Sequence, residues 1–115
     1  MARLSTHVLD TSRGTPAAGL AIELRRVGYG DAVAVTVTNV DGRTDAPLLE
    51  GDRIEPGLYD LVFHAGDYFR GLNLPLPSPP VFDVIVVRVG IADEHANYHV
   101  PLLVSPYAYS TYRGS

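Results

Sequence analysis

The chain has no cysteine and no tryptophan, and its nine basic residues are all arginine, so lysine is missing as well. Each absence removes chemistry. Without cysteine there is no disulfide, no thiolate metal ligand and no thiol nucleophile. Without lysine there is no Schiff-base amine and no amine for a phosphate-binding loop. The arginines are scattered and the net charge is −4, which leaves no basic face for a nucleic acid. No apolar run approaches the roughly 20 residues that span a bilayer. The first residues, Met1-Ala2-Arg3-Leu4-Ser5-Thr6, lack the apolar centre of a secretory signal, and a cytoplasmic protein without a membrane partner is expected.

What is present describes a folded chain. A hydrophobic content of 46% with 19% charged residues is globular rather than disordered. Its 115 residues make a single domain spanning 1–115. A chain of this size buries about two thirds of the surface its unfolded form exposes. It has little left to enclose a pocket of roughly 300–1,000 Å³, the usual size for a small ligand. An active site is therefore expected in a surface cleft or between subunits.

The hydrophobic period is two. Ala32–Asn39, Leu58–His64 and Val81–Val89 are rich in β-branched residues and bounded by Gly, Pro or Asp, and each reads as a strand. Leu4–Asp10, Leu20–Val27, Tyr98–Val104 and Tyr107–Tyr112 complete the set. The expected architecture is all-β, an antiparallel sandwich of seven to eight strands. One short helix is expected at Asp67–Leu72, limited by Gly66 and by the prolines after Leu74. Asp41-Gly42 is expected to supply the positive φ of a tight hairpin turn. The four prolines of Leu74–Pro80 read as a stiff connection between strands. No internal repeat is found.

With cysteine and lysine absent, histidine carries the interest. Alternation puts Ser5, His7 and Leu9 on one strand face and Leu4, Thr6 and Val8 on the other. It likewise groups Asn97, His99 and Pro101 opposite Tyr98, Val100 and Leu102. Position alone leaves each histidine open to two readings, a strand residue satisfied by a neighbour or a group of a site. His64, at a strand end, and His95, in a polar loop, read as surface residues. Asp93, Glu94, His95, Asn97 and His99 offer metal donors, but an i, i+4 histidine pair converges on a helix and not on a strand, so no metal site is expected. Gly28-Tyr29-Gly30 lacks the third glycine and the helix of a dinucleotide motif. No Gly-x-Ser-x-Gly is present. Arg43, after Asp41-Gly42, reads alone as an exposed hairpin charge. The segment Ser105–Ser115 is rich in aromatic and hydroxyl groups, more than a fraying end needs, and is expected to dock against something.

Four stretches together carry a family resemblance: Leu4-Ser5-Thr6-His7-Val8-Leu9-Asp10-Thr11, Asp41-Gly42-Arg43, Tyr98-His99-Val100-Pro101-Leu102-Leu103, and the tail ending in Tyr112-Arg113-Gly114-Ser115. Pro47-Leu48-Leu49-Glu50, Gly57-Leu58-Tyr59 and Tyr68-Phe69 fit the same register. The chain resembles the transthyretin-related 5-hydroxyisourate hydrolases over essentially its whole length. The terminal tetrapeptide is the specific part, and the histidine of the first strand is the second discriminator against thyroid-hormone carriers of the same fold. The resemblance implies a transthyretin-like (prealbumin-like) sandwich assembled as a homotetramer, a dimer of dimers, with sites in a channel at the dimer–dimer interface. The implied reaction is hydrolytic opening of a ring amide of 5-hydroxyisourate, a small-molecule substrate, with no metal or organic cofactor.

Residue by residue, the resemblance implies His7, Arg43, His99 and Ser115 as catalytic groups. It implies Tyr112, Arg113 and Gly114, with His7 and Arg43, as substrate-binding. His7 and His99 would orient and deprotonate water, Arg43 would hold carbonyl oxygens, and Ser115 would position water or a histidine. The family commonly carries a further histidine where this chain has Asn97, which can hydrogen-bond but cannot take a proton at neutral pH. Two other readings compete: a non-catalytic transthyretin-like carrier of an aromatic ligand, which would want an apolar channel, and an immunoglobulin-like interaction module, which would be a monomer with a dispensable C-terminus.

Overall fold

Alternation decides which side chains meet in the core. In the computed structural model, which describes residues 2–114, Leu4, Thr6, Val8 and Asp10 are at most 2% exposed, while Arg3, Ser5, His7 and Leu9 point the other way. Among the described residues eleven short strands follow in chain order. They are β1 (Arg3–Ser5), β2 (Val8–Asp10), β3 (Thr15–Pro16), β4 (Ala21–Arg26), β5 (Ala32–Val37), β6 (Leu49–Glu50), β7 (Gly57–Phe63), β8 (Ile85–Ile91), β9 (Asn97–His99), β10 (Leu102–Ser105) and β11 (Ala108–Thr111). A single 3-10 turn at Gly51–Arg53 precedes β7, and the helix α1 (Ala65–Arg70) follows it. Among the described residues no helix is long and apolar enough to cross a membrane.

Two expected strands are interrupted. β1 and β2 form one run broken at Thr6-His7, and β9 and β10 form another broken at Val100-Pro101, where proline has no N–H to give the ladder. Pairing continues across the breaks, because Val100 N–H donates to Ser5 O (2.9 Å) and Leu102 N–H to His7 O (2.9 Å). The sandwich is mixed rather than purely antiparallel: β1 pairs with β9 and β2 with β10 in parallel. These runs lie at opposite ends of the sequence, so no hairpin dictates their relative direction. One layer is thus β6-β1-β9 continued as β11-β10-β2-β3, and the other is β5-β4-β7-β8. Leu4, Val8, Leu102 and Val104 of the first layer share one buried cluster with Ile22, Leu24, Leu61, Phe63 and Ile85 of the second.

Three boundaries differ from expectation. The strand expected at Val81–Val89 is Ile85–Ile91. Residues before it are tied to the helix, with Gly66 N–H donating to Asp83 O at 2.7 Å, and the β7 ladder runs through Gly90 to the pair Gly57↔Ile91. The helix begins two residues before the expected start and contains Gly66, because a Cβ there would lie 2.1 Å from Asp83 Oδ1. That glycine permits a close approach and does not break the helix. Asp41-Gly42 does not join two paired strands; it closes a turn on itself, described below.

A buried carboxylate ties α1 to the histidine strand. Asp10 is fully buried, and its Oδ1 accepts from the N–H groups of Ser12 (3.0 Å) and Arg13 (3.2 Å), while Oδ2 accepts from the Tyr68 hydroxyl (2.8 Å). Burial and this carboxylate push the Tyr68 phenol up to about 12.

Candidate active site

The parallel register of β1 and β9 sets Ser5 opposite His99 on the outward face. The Ser5 hydroxyl and His99 Nδ1 stand 2.9 Å apart. Arg3 and His7 flank Ser5 in the same outward row, and Asn97 lies two residues from His99 on β9.

Arg43 reaches this row through a turn built by Asn39. The Asn39 side-chain oxygen accepts from the N–H groups of Asp41 (2.9 Å) and Arg43 (3.2 Å), and the Gly42 N–H donates to Asn39 O (2.9 Å). Gly42 has a φ of +75°, and a Cβ on it would sit 2.3 Å from Val8 O. Only glycine allows that approach. The turn then docks on β2, Val8 N–H donating to Gly42 O at 2.8 Å. His7 and Arg43 thereby form an antiparallel bridge. His7 Nε2 lies 2.8 Å from Asp41 O. A carbonyl only accepts, so Nε2 carries the proton there and, in the neutral ring, Nδ1 is the open acceptor.

The tail folds back onto His99. Thr111 Oγ1 donates to Pro101 O (2.7 Å), and Gly114 N–H donates to His99 O (2.7 Å). Arg113 donates to Asn97 O (3.0 Å) and lies over the Tyr98 ring, 4.7 Å from its centroid. A Cβ on Gly114 would come 2.8 Å from His99 Cδ2, so the last described residue is a glycine because the imidazole fills the space.

An open cleft of about 560 Å³ lies over this face, walled by Arg3, Ser5, Arg43, Asn97, His99 and neighbouring residues including Asp45 and Pro47. Burial holds the His99 imidazole below its ordinary value of 6.5, and the positive charges of Arg43, His7 and Arg3 act in the same direction. His99 is thus neutral at neutral pH and able to accept a proton. The guanidinium of Arg43 makes no hydrogen bond or ion pair among the described residues, and Arg43 stands on the cleft wall, where its planar fork of donors suits oxygen ligands.

The structure brings together His7, Arg43, His99 and Gly114, with Arg113 beside them. Tyr112 is 57% exposed and is not part of the cleft wall. Ser115 lies outside the described residues. His64, expected at the surface, is half-buried and stands 2.7 Å from Glu23 Oε2. The hydrogen bond to His64, followed by that to Arg25, holds the Glu23 carboxyl below the usual range. His95 is exposed in its loop, and among the described residues no three metal-ligating side chains converge. Ser5, Arg3 and Asn39 were not singled out from the sequence. The alternation that placed His7 outward places Arg3 and Ser5 outward too, so that signal was available. Asn39 needed the three-dimensional docking of its turn.

Known proteins share this fold and sequence. Residues 4–114 match the model of the HIUase/Transthyretin family. A 5-hydroxyisourate hydrolase of Pseudomonas aeruginosa is 54% identical, the match covering 100% of this chain and 93% of that protein. The crystal structure of an (S)-allantoin synthase superposes with a TM-score of 0.94 at 41% identity, covering 99% of this chain but only 44% of that longer one. The structure of the Klebsiella pneumoniae 5-hydroxyisourate hydrolase superposes with a TM-score of 0.84 at 36% identity, covering 100% of both chains.

Proposed function

The chain belongs to the HIUase/Transthyretin family, and from that membership we propose that it hydrolyses 5-hydroxyisourate to 2-oxo-4-hydroxy-4-carboxy-5-ureidoimidazoline in the degradation of urate. The observation that carries this reading is His99, a neutral imidazole on a cleft wall, surrounded by Arg43, His7 and Arg3. Water attacks the carbonyl carbon of the ring amide, and its proton passes to the histidine pair. The Arg43 guanidinium holds the carbonyl oxygen and stabilises the oxyanion that forms on it. The carbon–nitrogen bond then breaks, the histidine returns a proton to the departing nitrogen, and a carboxylate remains on the opened ring.

Tyr112, Arg113 and Gly114 bind the substrate, and Ser115 positions water or a histidine. Tyr112 is exposed and stands outside the wall of the cleft beside His99, which favours a homotetramer in which pairing dimers complete each site. The alternative, a carrier of an aromatic ligand, would need an apolar wall, whereas Arg3, Ser5, Arg43, Asn97 and His99 make this one polar. Added to freshly generated 5-hydroxyisourate, the purified protein is expected to accelerate the decay of its ultraviolet absorbance, and His7→Ala to abolish most of the acceleration. Decay at the uncatalysed rate with the folded native protein would falsify the hydrolase reading.

A further inference from the structure

Resting on the hydrolase reading, we propose that Ser5 is a positioning residue: its hydroxyl oxygen accepts the Nδ1 proton of His99 and so presents the bare Nε2 to the water in the cleft. A neutral imidazole has one N–H and one lone pair, and whichever nitrogen is held by a fixed partner decides which role the other can play. Here the partner is fixed in place; a hydroxyl can donate or accept, and its accepting role leaves the lone pair on Nε2. Ser5 and His99 are register partners in the parallel β1–β9 pair, and Val100 N–H donates to Ser5 O at 2.9 Å, so the two backbones cannot drift apart without breaking the ladder. The side chains follow, with Ser5 Oγ and His99 Nδ1 at 2.9 Å.

The opposite edge of the ring is also held. The Gly114 backbone, bonded to His99 O at 2.7 Å, comes so near that a Cβ there would lie 2.8 Å from His99 Cδ2. With Nδ1 against Ser5 and the Cδ2 edge against the tail, the part of the ring without a hydrogen-bond partner among the described residues is its Nε2–Cε1 apex. Both Ser5 and His99 wall the cleft. Among the two histidines, His7 spends its Nε2 proton on Asp41 O, which suits it to orient rather than to take the first proton. A serine hydroxyl that accepts from His99 keeps its own O–H free to donate, and the cleft side offers substrate oxygens as its acceptors.

Two measurements separate this from the hydrolase reading itself. In the wild-type protein, long-range proton–nitrogen correlation spectra above the titration range of His99 are expected to show the proton on Nδ1. Imidazole in water prefers its proton on Nε2, so Ser5→Ala is expected to move the ring toward that tautomer. With 5-hydroxyisourate, Ser5→Ala is expected to lower kcat about tenfold with KM within about twofold, and Ser5→Thr, which keeps the hydroxyl, to restore most of the rate. A wild-type His99 protonated on Nε2 overturns the proposal whatever the activity. So does an unchanged kcat in Ser5→Ala. Absence of turnover in the wild type, with the Nδ1–H tautomer present, would count against the hydrolase reading and leave the Ser5–His99 linkage standing.

Discussion

Burial disfavours the His99 imidazolium, and Arg43, His7 and Arg3 add positive charge that disfavours it further. The folded chain therefore takes up the His99 proton at lower pH than the unfolded chain does. Its stabilising contribution is complete above 6.5, the ordinary value, and is lost as pH falls toward the lower folded value. The same shift widens the pH range in which the base is unprotonated. The acid limb of the kcat/KM profile is expected below pH 6.5. Arg3→Gln removes one of the charges and is expected to raise that limb, read from pH–rate profiles of the two proteins. A limb that stays in place or moves down would remove Arg3 from the electrostatics of the site. At this scale the family motif is informative about residue type: it implies His7, Arg43 and His99, whereas the strand pattern alone leaves the histidines open and Arg43 an exposed hairpin charge. It is silent on how His99 is tuned, because neither its burial nor the nearness of Arg43 and Arg3 follows from position in a strand.

The Asn39–Arg43 turn shows how an element can be legible while its role is not. Asp41-Gly42 announces a turn, and Gly42 does take positive φ. A hairpin was the natural expectation, but the turn instead docks on β2 and hands Arg43 to His7. Gly42→Ala must accommodate a Cβ that would lie 2.3 Å from Val8 O at a φ of +75°. It is expected to cost about 1–3 kcal/mol in urea unfolding, from backbone strain and a loosened Val8–Gly42 hydrogen bond. Arg43 should lose its place, so turnover should fall more than stability accounts for. Native stability in Gly42→Ala would mean that the turn is not pinned as described. The helix boundary differs for the mirror-image reason: the sequence presents Gly66 as a breaker, whereas the nearby Asp83 demands a residue without a side chain.

At the scale of the molecule, the layer carrying the site ends at β11 and the second layer ends at β5 and β8, all edges open for pairing. Tyr109, Tyr112, Val86 and Val35 are exposed on or beside them, with Tyr112 57% and Val35 72% accessible. Single exposed apolar residues are ordinary, but open edges lined with them invite a second copy of the chain. The cleft is open on its outer side, and Tyr112 is absent from its wall. The homotetramer proposed above therefore predicts that specific activity falls as the protein is diluted through the dissociation of that assembly, with sedimentation velocity and the absorbance assay run on the same samples. Constant activity per chain down to the monomer would show that one chain suffices.

The sequence by itself determined the strand class, the outward histidine row and the family, because period-two alternation, turn residues and short motifs are local properties. It also established which chemistries were closed, since a missing cysteine or lysine needs no structure to interpret. The tertiary structure decided that the two halves of the site layer pair in parallel, that Ser5 stands against His99, and that Gly42 and Gly114 are glycines because Val8 and His99 press against them. Those facts join residues separated by up to 94 positions. Nothing local encodes such a contact; it exists only once burial of Leu4, Val8 and Leu102 in one core has fixed which strands lie side by side.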